Sequence, residues 1–294
     1  MPIIIGAHLN KLKNFYETIK QVELLKTTTL QIFTGSPQRV HFPMERLNIN
    51  KIIGSFEDVD KTKKYVTNKR LKLFIHSPYI LNFCEMNKNK IRLYKKILLE
   101  ELELADRLGA VGCVIHMGKR KDVNITQAQE QFVKCIQEVI KEHKFNTKII
   151  LETSAGQGSE IGYLLEEFAE IYNSFLPAEK KKIGLCIDTC HIFVAGEKIH
   201  TINGMKEYFK NWEELIGIKN ITLFHLNDSK NTLGDRIDRH ESISRGNIFK
   251  NIDSLKILKK YAIDNKIPLI LETRDKTSDY SQYKNEMKLV NKIK

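Results

Sequence analysis

The stretch LKLFIHSPYILNFCEMNKNKIRLYKKILLEELELADRLGAVGCVIH (Leu71–His116) has the pattern of a strand, a helix and a second strand. Two continuous apolar runs enclose it, Leu71–Ile75 and Cys113–Ile115, and such runs are typical of strands that are covered on both faces. Between them, the apolar residues of Lys90–Leu108 recur at steps of three and four, as on one face of a helix. Gly109 follows at the position where many helices end. This stretch therefore predicts one βαβ unit.

The same alternation continues outward in both directions along the chain. Segments of helical spacing, such as Thr126–Glu142, separate eight short apolar runs. The runs are Pro2–Ile5, Thr29–Phe33, Leu71–Ile75, Cys113–Ile115, Lys148–Leu151, Ile183–Ile187, Ile221–Phe224 and Pro268–Leu271. No proline- or serine-rich linker interrupts them, so residues 1–294 are predicted to form a single domain. This α/β pattern favours a (β/α)8 TIM barrel, with an open doubly wound sheet as the alternative.

Residues that can bind a metal follow six of the eight runs at their C-terminal ends. They are His76, His116, Glu152, Asp188, His225 and Glu272. In a barrel these ends meet on one face, where barrel enzymes have their active sites. A single histidine at a strand end is more often structural than functional. Six residues restricted to His, Asp and Glu in one register instead predict a shared metal site.

Three further candidate ligands lie close to this set in the sequence. Asp188 and His191 share the D-x-x-H spacing of CIDTCH, and Asp238 and His240 form D-x-H in the loop after the seventh run. Imidazole and carboxylate ligands together favour zinc over manganese or iron. Because a catalytic zinc takes three protein ligands, nine donors suit three ions, especially if one carboxylate bridges two of them.

The composition limits the class of protein and its partners. The chain carries 48 Lys and Arg against 36 Asp and Glu, a formal net charge of +12. Such an excess favours encounter with a polyanion such as DNA, although a lysine-rich solubility surface is the alternative reading. No apolar run approaches the roughly 18 residues of a membrane span. Five scattered cysteines and the lack of a signal-peptide pattern predict an intracellular protein in a reducing compartment.

Three long segments carry a family resemblance. They are LETSAGQGS (Leu151–Ser159), GLCIDTCHIFVAG (Gly184–Gly196) and HLNDSKNTLGDRIDRHESISRGNI (His225–Ile248). Shorter segments that fit the same family are IGAHLN (Ile5–Asn10), QIFTGSPQR (Gln31–Arg39) and FIHSPYILNF (Phe74–Phe83). Together they resemble the endonuclease IV family, the zinc-dependent apurinic/apyrimidinic (AP) endonucleases of base-excision repair. The resemblance extends from the first strand to LILET (Leu269–Thr273).

The resemblance implies a trinuclear zinc site in a (β/α)8 barrel. By position, the ligands would be His76, His116 and Glu152 for the first zinc, Asp188, His225 and Glu272 for the second, and His191, Asp238 and His240 for the third. Glu152 would also bridge to the second zinc. In such a site a metal-bound hydroxide is the nucleophile, so no general-base side chain is required. Cys190 is expected to pack beside the site rather than to bind metal.

The resemblance also implies the substrate, which is duplex DNA that contains abasic sites. Family members cleave the phosphodiester 5′ to the lesion, leave a 3′-hydroxyl and a 5′-deoxyribose phosphate, and trim blocked 3′ ends. Arg39 and Tyr79 would enter the DNA and fill the gap left by the flipped nucleotide, with Gln38 beside them. An ordinary half-buried aromatic is the alternative for Tyr79, and Gln157 is expected to shape the loop beside Glu152. We expect a monomer.

Three departures from the family pattern leave all nine ligands in place. KLKNFYE (Lys11–Glu17) replaces a glycine-rich stretch, Met117 stands where proline is common, and SRGN (Ser244–Asn247) replaces a more glycine-rich turn. Two other functions compete with the nuclease. A sugar isomerase or epimerase on a related barrel needs only one or two metals and has no use for the third ligand set. A non-catalytic nucleic-acid-binding barrel is expected to lack one or more ligands.

Overall fold

The computed structural model describes residues 3–39, 42–44, 55–273, 275 and 277–293. Its parallel strands form a closed barrel in which neighbours in sequence are neighbours in space, and the last strand lies beside the first. In chain order, the strands are β1 (Ile5–Leu9), β2 (Thr29–Phe33), β3 (Lys72–His76), β4 (Gly112–His116), β5 (Lys148–Glu152), β6 (Ile183–Asp188), β7 (Ile221–His225), β8 (Asp228–Ser229), β9 (His240–Glu241) and β10 (Leu269–Leu271). β8 and β9 form a separate antiparallel pair. The predicted (β/α)8 barrel is confirmed, and the open sheet is excluded.

Helices alternate with the barrel strands. They are α1 (Phe15–Lys20), α2 (Val22–Leu25), α3 (Phe56–Lys69), α4 (Lys88–Leu108), α5 (Ile125–Glu142), α6 (Leu165–Asn173), α7 (Pro177–Lys180), α8 (Thr189–Ala195), α9 (Ile202–Leu215), α10 (Asp253–Asp264) and α11 (Ser281–Lys292). α4 begins two residues before its predicted start because the Asn87 side chain caps it, accepting hydrogen bonds from the N–H groups of Asn89 and Lys90. It ends, as predicted, at Gly109, whose φ of 75° favours glycine.

One strand prediction is wrong in position. The apolar run Pro2–Ile5, whose Pro2 lies outside the described residues, predicts the first strand, but β1 begins at Ile5 and continues through Gly6 and Ala7. These three residues pair with residues 269–271 of β10, so the strand position is set by a partner far away in the sequence. Gly6 and Ala7 have small side chains, so the local apolar pattern does not predict that they belong to a strand.

The chain divides into two compact units, residues 1–7, 152–174 and 185–294 in the first and residues 8–151 and 175–184 in the second. In the first unit, Phe209 of α9 stacks on Tyr261 of α10 at 4.2 Å between ring centroids and meets Phe224 of β7 edge-on at 5.8 Å. Because His225 follows Phe224, this packing fixes the end of β7. In the second unit, the buried rings of Phe83 and Phe132 lie 6.4 Å apart.

Two further features concern membrane-spanning helices and the cysteines. Among the residues that the structure describes, no helix combines the length and the apolar composition needed to cross a membrane. All five cysteines are free and buried.

Candidate metal centre

The strand ends carry the six residues that the sequence singled out. Five of them are the last residues of β3 to β7, and Glu272 directly follows β10. The five are His76, His116, Glu152, Asp188 and His225. In a closed parallel barrel this is the C-terminal face, where side chains from different strands can converge. The ligand candidates of each compact unit are described in turn below.

Four residues of the first unit form what we term the central cluster: Glu152, Asp188, His225 and Glu272. Each offers one ligand atom, and these atoms lie within 4.8 Å of one another. His225 is at the centre, with its Nδ1 atom 2.6 Å from Oε1 of Glu152 and 3.2 Å from Oε2 of Glu272. Oδ2 of Asp188 lies 3.8 Å from the same nitrogen. One imidazole thus faces three carboxylates.

The central cluster lies almost entirely out of contact with water. Asp188 and His225 are fully buried, and Glu152 is nearly so. Burial raises the pKa of the Asp188 carboxyl above its ordinary value, against the opposing influence of His191 and His240. Burying several carboxylates together is costly unless a cation compensates their charge. The cluster therefore has the charge and burial that suit a multivalent cation.

A second group in the same unit, the side cluster, consists of His191, Asp238 and His240. The Asp238 carboxylate lies between the two imidazoles, 3.3 Å from Nε2 of His191 and 3.1 Å from Nε2 of His240. Nε2 of His240 is also 3.6 Å from Oδ2 of Asp188, so the two clusters adjoin. The ligand atoms of the side cluster meet the same 4.8 Å limit.

Neighbouring carboxylates raise the pKa of both histidines of the side cluster. Burial acts to lower the pKa of His240, but the carboxylates of Asp188 and Asp238 overcome this effect and raise it to about 9. Burial also acts to lower the pKa of His191, and the same two carboxylates raise it well above its ordinary value. A metal ion competes for the nitrogen atoms that hold these protons. The donor set therefore fits a divalent ion.

Neighbouring residues orient the ligands. Oδ1 of Asp188 accepts hydrogen bonds from the N–H groups of Cys190 and His191, at 2.7 and 3.0 Å, and so caps α8. The carbonyl oxygen of Thr153 lies 2.8 Å from Nδ1 of His191, which leaves Nε2 facing Asp238. Oε1 of Gln157 accepts a hydrogen bond from the N–H of Asp238 at 3.0 Å. Gln157 thus helps to position the side cluster.

Asn227 is a site residue to which sequence reasoning assigned no role. Its amide nitrogen donates to Oδ2 of Asp188 at 2.7 Å and to Oε2 of Glu272 at 3.1 Å. Its amide oxygen accepts from the N–H of Glu272 at 3.0 Å. The Thr189 hydroxyl donates to the Asn227 carbonyl at 2.6 Å and accepts from the Asn227 N–H at 2.9 Å. The available signal was its position two residues after His225, between a strand-end histidine and the next acidic residue.

We expect Asn227→Leu to weaken the binding of a divalent metal, measured with added zinc as the probe, by roughly ten- to a hundredfold, the usual cost of losing a group that orients metal ligands. Leucine keeps the approximate size of the side chain but removes both amide donors from Asp188 and Glu272. Competition against a chromophoric chelator measures the change. Asn173→Leu is the matched control, because Asn173 hydrogen-bonds the Leu215 carbonyl at the exposed end of α6. Equal zinc retention in both variants would contradict the role of Asn227.

Two cysteines also approach the ligand atoms. Cys186 groups with Glu152 and His225, and Cys190 groups with Asp188 and His240, within the same 4.8 Å limit. Burial raises the pKa of each thiol to about 12. Both side chains are fully buried beside the candidate ligand atoms.

In the second unit, His76 and His116 lie side by side with their ring centroids 5.1 Å apart. The Ser77 carbonyl oxygen lies 2.8 Å from Nδ1 of His76 and so orients the ring. The Tyr79 ring contacts both imidazoles, at 5.5 Å from His76 and 5.4 Å from His116. It also meets Phe33 edge-on at 5.3 Å. Tyr79 nevertheless keeps 51% of its surface exposed while its ring contacts both histidines.

The other two predicted DNA-contact residues lie near Tyr79 in this unit. Gln38 and Arg39 are exposed in the loop that follows β2. The N–H of Tyr79 donates to the Pro37 carbonyl at 2.9 Å, which ties the Tyr79 loop to the loop of Gln38 and Arg39. The three residues are thus brought to one part of the surface.

Known proteins resemble the chain over most of its length. A family model described as xylose isomerase-like TIM barrel matches residues 19–293. A Ureaplasma parvum protein named "Probable endonuclease 4" is 33% identical over 299 residues, which covers 99% of this chain and 94% of that protein. A Plasmodium falciparum protein named "Apurinic-apyrimidinic endonuclease 1" is 33% identical over 83% of this chain and 40% of its own length.

A solved structure agrees at the level of the fold. The crystal structure of endonuclease IV from Thermus thermophilus superposes with a TM-score of 0.76 and 21% identity, covering 97% of this chain and 98% of that one. The sequence matches extend through both ligand clusters and the strand ends that carry them. The chain therefore belongs to the endonuclease IV family of xylose isomerase-like TIM barrels.

Proposed function

We propose that the protein is a zinc-dependent DNA repair endonuclease that cleaves duplex DNA 5′ to abasic sites. The observation that carries this proposal is the side cluster beside the central cluster, since together they supply more ligands than a one- or two-metal site uses. The names of the two relatives and the net charge of +12 support DNA as the substrate. Products with a 3′-hydroxyl and a 5′-deoxyribose phosphate, and trimming of blocked 3′ ends, belong to the same proposal.

The donor chemistry fits zinc. Imidazole nitrogens and carboxylate oxygens are its usual ligands, and the buried carboxylates of the central cluster need positive charge close by. Asp188, His225 and Glu272 would hold one ion, and the three residues of the side cluster would hold another. Bound zinc would supply Lewis-acid chemistry and an activated water to phosphodiester hydrolysis.

Glu152 is proposed to bridge two of the ions. Its Oε1 atom lies 2.6 Å from Nδ1 of His225 and 3.8 Å from Nδ1 of His191, so its carboxylate is shared among several ligands. β5, which ends at Glu152, follows β3 and β4 in the barrel order. His76 and His116, at the ends of those strands, are proposed to complete the first zinc site with Glu152.

Lesion recognition is proposed to fall to Tyr79, Arg39 and Gln38. An abasic nucleotide has lost its base pairing and part of its stacking, so it costs less to flip out than an intact one. The Tyr79 ring can then stack on the bases next to the abasic site. The same ring keeps its contacts with His76 and His116. In this arrangement, the residue that recognises the abasic site would lie next to His76 and His116, two of the proposed zinc ligands.

Sugar isomerases and epimerases share the barrel, and the matching family model takes its name from xylose isomerase. The barrel alone therefore does not distinguish the two activities. His191, Asp238 and His240 favour the nuclease, because an isomerase with one or two metals has no use for this third set of ligands. The presence of all nine ligands also speaks against a non-catalytic DNA-binding barrel.

The test is incision of a 5′-labelled duplex that contains one tetrahydrofuran abasic analogue. We expect a single cut 5′ to the analogue and a product end that a DNA polymerase can extend, which requires a 3′-hydroxyl. The same duplex with an intact base is the control, and prolonged chelation should abolish cutting until zinc is restored. Zinc-loaded protein that fails to cut the abasic duplex would refute the proposal.

We expect close to three zinc ions per chain, because the chain carries nine candidate ligands whose chemistry suits zinc. Elemental analysis of purified, active protein measures the number directly. The trinuclear assignment would have to be abandoned if active protein contained a single ion or none.

A further inference from the structure

Asp228 lies next to Asn227 but belongs to a different network. Its carboxylate is fully buried and accepts hydrogen bonds from five backbone N–H groups. Oδ1 accepts from Ser229 and Ile248, both at 2.8 Å. Oδ2 accepts from Ser244 at 3.1 Å, Gly246 at 3.2 Å and Phe249 at 3.4 Å. One side chain thus gathers the whole segment 244–249, which we term the wrapping segment, around β8.

The strand that bears Asp228 also supports a proposed metal ligand. Asp228 and Ser229 form β8 and pair with Glu241 and His240 of β9. The N–H of Lys230 donates to the Arg239 carbonyl at 2.9 Å, and the N–H of Asn247 in the wrapping segment donates to the Ser229 carbonyl at 2.8 Å. Strands of two residues are too short to be stable alone, so this hairpin depends on outside support.

The wrapping segment approaches so closely that glycine is required at one position. A Cβ atom at Gly246 would lie 2.4 Å from Oδ1 of Asp228 and 2.5 Å from the Ser229 carbonyl oxygen. Both atoms are held in place by the hairpin and its hydrogen bonds. The SRGN turn, which departs from a more glycine-rich family pattern, thus keeps glycine at the point of contact.

We propose that Asp228 is a positioning residue for the side cluster: it binds the wrapping segment to the β8–β9 hairpin and thereby holds His240 against Asp238. His240 lies 3.1 Å from Asp238 and 3.6 Å from Asp188, both measured from Nε2, and it pairs with Ser229 through β9. A carboxylate suits this task because it accepts several N–H groups at once, with charge-assisted strength. The consequence for metal binding rests on the proposed three-zinc function.

The experiment compares Asp228→Asn with the unchanged chain, using hydrogen exchange and zinc content. Asparagine has the same shape, but its NH2 group opposes the backbone donors and its charge is lost. We expect amide exchange to rise at least tenfold in the wrapping segment and also in residues 239–241 of the hairpin. This readout is taken on zinc-loaded and on chelator-treated protein, so it does not depend on the number of metals bound. We further expect the zinc content to fall by one ion per chain.

Two more variants sharpen the test. Gly246→Ala should reproduce both effects by steric clash while leaving Asp228 unchanged. Glu101→Gln is the matched control, because Glu101 is also a fully buried carboxylate but accepts hydrogen bonds from the Thr34 hydroxyl instead. It should retain all the zinc and normal exchange in the hairpin.

The outcomes separate this inference from the proposed function. Exchange that rises only in the wrapping segment, with the hairpin unchanged, would overturn the positioning role of Asp228 whatever the zinc content. If the protein without any substitution held fewer than three zinc ions, the trinuclear function would be contradicted. The exchange data from chelator-treated protein would still decide the role of Asp228. Thermal unfolding confirms that each variant is folded.

Discussion

Glu152→Gln is expected to lower the rate of abasic-site cleavage by roughly 10²- to 10⁴-fold. The substitution removes one negative charge and one potential ligand oxygen from the carboxylate that lies 2.6 Å from His225. Lewis-acid stabilisation of transition-state charge by a bound metal is worth several kcal/mol, and each 1.36 kcal/mol in the barrier changes the rate about tenfold. Single-turnover cleavage of the abasic duplex measures the effect without interference from product release.

DNA affinity should survive this substitution, because the basic surface is unchanged. A binding titration on the same duplex therefore separates loss of chemistry from loss of binding. Glu166→Gln is the control, since Glu166 is an exposed carboxylate in the same compact unit. Near-normal turnover of Glu152→Gln would rule out the bridging role, and an equal loss in both variants would point to a general effect of charge.

Tyr79→Ala is expected to weaken binding to abasic duplex by roughly five- to a hundredfold, because an aromatic side chain that stacks on a base contributes about 1–3 kcal/mol. Binding to intact duplex should change much less. The dependence of affinity on salt should also stay nearly the same, since the substitution removes no charge. Titrations of both duplexes at several salt concentrations measure all three quantities.

The position of Tyr79 demands two controls. Its ring rests on His76 and His116, so the zinc content of each variant is measured alongside its DNA affinity. Tyr79→Phe should bind abasic duplex almost as the unchanged chain does, because stacking needs the ring and not the hydroxyl. Phe56→Ala removes another exposed aromatic, at the start of α3, and should have no selective effect. Equal losses on abasic and intact duplexes would end the insertion hypothesis.

The strand ends could be predicted because each has a local sequence pattern, a buried apolar run followed by a polar residue. A continuous apolar run predicts a strand with both faces covered, and a His, Asp or Glu at its end marks the position of the C-terminal face. His76, Glu152 and Asp188 illustrate this, since each is the last residue of its strand. The position of β1 could not be found in the same way, because Gly6 and Ala7 are selected by their pairing with β10.

Residues that act through geometry across several strands left no such mark. Asn227 contacts Asp188 and Glu272, which lie 39 and 45 residues away in the sequence. Asp228 gathers amides that are brought close only by the folded loop, and the hairpin it supports has two residues per strand. Neither periodicity nor spacing can reveal such contacts, because they depend on tertiary structure.

The place of β10 in the barrel determines when the central cluster can be completed. β10 lies between β7 and β1, pairing with both, and Glu272 directly follows it. Glu272 is therefore the last of the nine candidate ligands to be added as the chain is synthesised. Closure of the barrel pairs residues 5–7 with residues 269–271, a contact of very large sequence separation, and such contacts form slowly in folding. The central cluster thus receives its fourth member only after the strands that carry Glu152, Asp188 and His225 have been made, and a chain truncated before Glu272 would lack one of its four candidate ligands.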